Sequence, residues 1–258
     1  MSTASIFGRQ ARWEEAERRY RTAAEKLASI GADEDAKQAT AYLVASLCSL
    51  GRLDEAEALH RTLQGPWAPS DPDPDGGPEA VAAMMIGTAE LARLRGAPDA
   101  GLYRRAGELL VRRIPNGSRD PGGEMLVAIA LLGVVACGAP ETGGELVSAL
   151  IAGDEAMFGV TGYWDLPQAA TMALAVGARL AAVDPASEEA ATMVGLARRL
   201  GARQDYPVMF ETMRRLAVPP AGASAEAWRA ETERIAGLSR SRAVSLLRDT
   251  TAALRRRA

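Results

Sequence analysis

Histidine, cysteine and paired carboxylates are the groups in this chain equipped for catalysis or metal binding, and their spacing argues for neither. His60 is the only histidine, and no cysteine or carboxylate cluster accompanies it to complete a zinc site or a nucleophile–base pair. Its place in a helical pattern marks it as a packing residue. Cys48 and Cys137 stand 89 positions apart, each inside an apolar run, which predicts reduced, buried thiols rather than a redox pair. The carboxylate pairs Glu14-Glu15, Glu188-Glu189 and Glu231/Glu233 fall at helix starts or on exposed faces, where they complement the helix dipole. The glycine pairs Gly76-Gly77, Gly122-Gly123 and Gly143-Gly144 follow no strand, and with lysine only at Lys26 and Lys37 no G-x-x-x-x-G-K-[ST] loop exists for phosphate. We therefore expect no catalytic residue, no metal and no cofactor.

The elements that position the remaining side chains are organised around Leu43–Leu63, LVASLCSLGRLDEAEALHRTL. Apolar residues recur at helical spacing to Leu50, Gly51 breaks the pattern, and a second amphipathic run opens with Asp54 and Glu55 in its first turn. This is a helical hairpin. Trp13, Ala16, Tyr20 and Ala23 repeat Leu53, Ala56, His60 and Leu63 at an offset of 40 residues. Gly96-Ala-Pro-Asp-Ala-Gly and Gly138-Ala-Pro-Glu-Thr-Gly match at an offset of 42. Two offsets near 40 predict a repeat array, because a pair of short amphipathic helices needs stacked neighbours to bury its faces. The Gly51/Leu53/Ala56 spacing resembles the second half of a tetratricopeptide (TPR) repeat.

Ala, Leu, Arg and Glu dominate while aromatic and β-branched residues are scarce, so the chain is expected to be all-α. A TPR-like α-solenoid of about five hairpins is expected over residues 1–201, interrupted by an acidic, proline-rich loop at 65–79 that holds five prolines. A basic helical cap is expected over 202–258. Predicted helices lie at Pro78–Arg95, Glu124–Cys137, Asp165–Ala182, Ser187–Leu200, Pro207–Leu216, Ala225–Ile235 and Ser241–Arg256. From Arg198 onward 13 basic and 6 acidic residues leave a net +7, against −3 for the whole chain. The arginines are spread over several helices without interleaved aromatics, which reads as a solvated face, and no direct contact with nucleic acid is expected.

In a TPR-like superhelix the first helix of each hairpin lines the concave surface. Aligning the hairpins on their glycines places Gln38, Ser49, Glu90, Arg93 and Arg179 on that surface amid Ala, Met and Leu. A mixed apolar groove with a few charges suits a protein or peptide partner. Tyr163 and Trp164 stand together just before a helix, either sealing two hairpins or forming an aromatic wall. The second possibility gives an alternative function, the sensing of a small metabolite in a pocket near Trp164. The most apolar stretch, Met125–Cys137, is shorter than the roughly 20 residues of a membrane span and reads as a buried central helix. The opening residues lack the pattern of a secretion signal, and the cytoplasm is the expected compartment.

The stretch Gly162–Asp205, GYWDLPQAATMALAVGARLAAVDPASEEAATMVGLARRLGARQD, together with the closing RAVSLLRDTTAALRR, resembles the C-terminal helical-repeat region of actinobacterial transcriptional regulators of the SARP/AfsR and large LuxR-type groups. That resemblance implies a regulatory or partner-binding portion. It does not carry over DNA binding or ATP hydrolysis, because neither a phosphate loop nor a DNA-reading helix-turn-helix precedes the repeats.

Overall fold

The computed structural model describes residues 6–8, 10–63, 77–114, 121–159 and 166–257, and among these every regular element is helical. Among the described residues the α-helices include α1 Trp13–Ser29, α2 Asp33–Ser49, α3 Leu53–Leu63, α4 Pro78–Leu94, α5 Ala100–Arg113, α6 Pro121–Ala136, α7 Gly144–Gly159, α8 Leu166–Val183, α9 Glu188–Leu200, α10 Pro207–Arg215, α11 Ala225–Ala236 and α12 Arg240–Arg255. A 3-10 turn at Pro140–Gly143 leads into α7.

Local chemistry sets most of these boundaries. Side chains of Ser187, Ser224 and Ser239 accept the amides of Ala190, Ala227 and Arg242, capping α9, α11 and α12, and Asp99 accepts that of Leu102 to cap α5. At the end of α4, Gly96 (φ +82°) donates to Arg93 O at 3.0 Å and Ala97 to Ala92 O at 2.9 Å. Forty-two residues on, Gly138 (φ +78°) donates to Val135 O at 3.1 Å and Ala139 to Val134 O at 3.2 Å, closing α6 the same way. This is a left-handed glycine C-cap, which satisfies the last carbonyls at a backbone angle that costs glycine little.

Packing follows chain order. Hairpins α2–α3, α4–α5, α6–α7 and α8–α9 each close on themselves, and α3, α5 and α7 also pack on the helix that follows them. The first helices touch in succession, α2 on α4, α4 on α6 and α6 on α8, and form a continuous row. α1 lies on α2. Ala16 and Ala56 are fully buried, and Tyr20 and His60, each four positions further on, are only 2% and 4% exposed. The small alanines admit close helix approach, and the larger residues fill the gap beside them.

The core is built around α6, whose residues Met125 to Val135 are buried among α4, α5, α7, α8 and α10. Each fully buried Leu or Ile there contributes about 1.5–3 kcal/mol relative to exposure. By length and composition α8 is apolar enough to cross a membrane, yet it is buried from Gln168 to Ala178 against α6 and α9. Its apolarity is therefore accounted for by packing inside the protein.

The segment after Gly201 shares this core. Tyr206, Val208, Met209, Leu216, Trp228, Ile235, Ala243 and Leu247 belong to the same buried cluster as α4 to α9. α11 and α12 pack on α9, and α12 reaches α7, where Arg255 donates to Ile151 O at 2.6 Å. α10 takes a different route and lies across the row of first helices, touching α2, α6 and α8. What was expected to be an open groove beside a separate cap is, along this stretch, filled by the chain itself.

Candidate functional site

The row of first helices carries two buried carboxylates among the described residues, Glu90 of α4 and Glu124 of α6, and the geometry gathers around the first. Glu90, in α4, follows Met85, Ile86 and Ala89 on the buried face and is 2% exposed. Arg93, one turn on, donates through Nε to Glu90 Oε2 at 3.0 Å and through Nη2 to Oε1 at 2.8 Å, a fork matched to a carboxylate. The Tyr103 hydroxyl, from α5, donates to Oε2. The Val208 amide, from α10, donates to Oε1 at 2.9 Å. Four donors thus converge on one carboxylate, as a buried charge requires.

The fourth donor defines the site. α10 begins with Pro207 at its first position and Tyr206 before it, and no side chain of its own caps it. Its orphaned second amide is satisfied from another helix, by an anion at the positive end of the helix dipole. Arg93 completes the link through Nη1, which donates to Glu211 of α10 at 2.6 Å. Burial disfavours the Arg93 charge, but the hydrogen bond and charge of Glu90 and the hydrogen bond to Glu211 outweigh it and raise its pKa. Burial, then the charge of Glu90, push the Tyr103 phenol well above its usual value, so it remains a donor. The Tyr103 ring lies directly on Gly133 of α6, where an added Cβ would come within 2.2 Å of it.

A second polar contact lies just before α10. Arg203 and Asp205, 3% and 2% exposed at their side chains, form a two-bond pair at 2.9 and 2.6 Å, and the Arg203 amide donates to the Thr171 hydroxyl of α8 at 2.9 Å. Trp13 of α1 donates to Gln204 O at 3.4 Å and meets Phe210 of α10 edge-on at 4.7 Å. Below α10 the side chains Val208 and Met209 are fully buried, with Thr212 at 2% and Leu216 at 3%.

Of the residues expected on a binding surface, Glu90 and Arg93 meet here. Ser49 closes onto its own helix, donating to Ala45 O at 3.0 Å. Arg179 donates to Pro140 O at 3.1 Å and ties α8 to the turn before α7. The Gln38 side chain, Tyr163 and Trp164 lie outside the described residues, and with them the expected metabolite pocket. A crevice lined by Cys48, His60, Gly87, Glu90 and Tyr206 measures ≈ 10 Å³, at the lower limit for admitting one water molecule. His60 Nε2 is 2.9 Å from the Thr88 hydroxyl, and burial lowers its pKa. Burial, with the Glu90 charge, pushes the Cys48 thiol up to about 12, so it is a thiol and not a nucleophilic thiolate. Among the described residues no three His, Cys, Asp or Glu side chains are placed to hold a metal ion.

Sequence reasoning missed Tyr103 as a ligand of Glu90. It also missed Glu211 and the Arg203–Asp205 pair. One signal was present: Glu90 interrupts an apolar helical face with Arg93 three residues later, the mark of a charge that must find partners indoors.

Compared with known proteins, the chain matches no family model, no curated protein sequence and no solved structure at a significant level.

Proposed function

We propose that the chain is a non-catalytic protein-interaction module, a TPR-like α-solenoid whose row of first helices is the binding face. The observation that carries this reading is the seat of α10. Glu90 and Arg93 grip one helix by its N-terminus and by a carboxylate one turn on, while apolar side chains pack beneath it. A face so furnished recognises helical segments of protein, as in helix-in-groove recognition. The stepwise packing of hairpins, the repeated glycine C-caps and the 40- and 42-residue self-matches support the solenoid reading. The resemblance to the repeat regions of SARP/AfsR-type and large LuxR-type regulators supports a regulatory role in the cytoplasm, as part of a transcriptional regulator or derived from one.

Site-specific photo-cross-linking in cells of the natural source tests this. A photoreactive residue at exposed Glu211, on the helix that covers the row, is expected to capture a protein, whereas one at exposed Arg112, on the second helix α5, is not. Capture only from Arg112, or from neither, would reject the assignment of this face.

A further inference from the structure

The segment seated on the row shows what the face takes. α10 is nine residues long, begins with proline, and leaves its second amide to Glu90 because no residue of its own caps it. The next buried positions are Val208 and Met209, and Leu216 lies seven residues beyond Met209 on the same side. Glu211 falls one turn in and meets Arg93 at 2.6 Å. Phe210 lies edge-on to Trp13, at the rim.

The segment is also framed to leave as a unit. Gly201 (φ +80°) ends the preceding helix, and Pro219-Pro220 and Gly222 (φ +92°) follow. α11 and α12 are anchored elsewhere, on α9 and α7, so the C-terminal helices keep their own contacts when α10 is out. The polar half of its seat consists of ion pairs and one amide bond. Such contacts set register and partner choice more than net affinity, because the Glu90 and Arg93 charges are desolvated to make them. A competing helix that restores every one of them removes the penalty of opening the face.

Resting on the interaction-module reading, we propose that this face docks a short helix from a partner protein. That helix carries proline at its first position, apolar residues at its second and third, and a carboxylate one turn on. α10 is the built-in occupant that it replaces.

The test uses the full chain and a fluorescent peptide of residues 204–218, read by anisotropy. In a Glu211→Arg chain the internal helix presents a like charge to Arg93, while the peptide keeps its acid. The peptide is expected to bind this chain at least about tenfold more tightly than the parent. The same peptide with Glu211→Arg loses that gain and recovers it on an Arg93→Glu chain. Hydrogen exchange of amides 208–216 in the parent is expected to speed up when unlabelled peptide is added. If Glu211→Arg does not fold, Phe210→Ala, which loses the edge contact with Trp13 and the Arg214 guanidinium over its ring, serves with an expected gain of about threefold. Equal peptide binding by folded parent and variant chains, within twofold, would overturn the proposal and make α10 a fixed part of the core. If cross-linking at Glu211 captures a protein while the peptide fails to exchange, the module reading stands and this inference falls.

Discussion

Replacing Glu90 by alanine isolates the energetics of the site. The substitution leaves four donors behind: the Tyr103 hydroxyl, the Val208 amide, and Nε and Nη2 of Arg93. An orphaned buried donor costs about 1–3 kcal/mol, and removal of one partner of a buried pair about 3–5 kcal/mol. Arg93, 13% exposed at its side chain, keeps Glu211, which limits its share. We expect a loss of about 4–5 kcal/mol, a large fraction of the 5–15 kcal/mol that holds a typical protein folded. In urea, with an m-value of about 3 kcal/mol/M, the midpoint falls by roughly 1.5 M. The loss measures stranded partners, not the net worth of the pair. Adding Tyr103→Phe to Glu90→Ala therefore removes one stranded group and recovers about 1 kcal/mol, whereas Tyr103→Phe alone destabilises. Far-UV circular dichroism across a urea series reads all three variants. A Glu90→Ala midpoint within about 0.3 M of the parent, or losses that simply add, would refute the reasoning.

Gly133→Ala drives a methyl into the Tyr103 ring, which cannot retreat while its hydroxyl is held by Glu90; a loss of about 2–3 kcal/mol in the same urea assay is expected. Ala56→Arg places a long cation at a fully buried contact between α3 and α2 and should lower stability by about 3–5 kcal/mol, so an unchanged melting temperature would show the hairpin register to be wrong. Acid sensitivity should trace to His60. Burial holds its folded pKa below the ordinary 6.5, so on acidification the unfolded chain takes up the proton first. Stability is then fully present above about pH 6.5 and declines as pH falls from there through the folded pKa, and His60→Gln should flatten the melting temperature between pH 7.5 and 5.5. An equal slope in the variant would place the acid-sensitive group elsewhere.

Helix boundaries were legible residue by residue because they rest on local chemistry. The helix expected at Pro78–Arg95 runs Pro78–Leu94, that at Ala225–Ile235 runs Ala225–Ala236 under its Ser224 cap, and that at Pro207–Leu216 runs Pro207–Arg215. Caps, glycine turns and 3.6-residue periodicity involve partners within about four positions, so a linear reading reaches them. The burial of His60 and Ala56 followed from the same periodicity.

Where α10 goes was not decided at that range. Glu90 and Val208 are 118 residues apart, as are Arg93 and Glu211, and no spacing rule connects them. Read along the chain, Glu90 and Arg93 are two polar residues on a helix expected to face an open groove. In three dimensions the groove along α10 is filled by the chain's own helix, and the same two residues become its cap and its ion-pair partner. By itself the sequence determined that the chain is helical and where its helices begin and end, through hydrogen bonds that close within one turn. Only the tertiary structure decided which helix covers the row, because a desolvated carboxylate needs several donors at once and no single segment of this chain supplies them all.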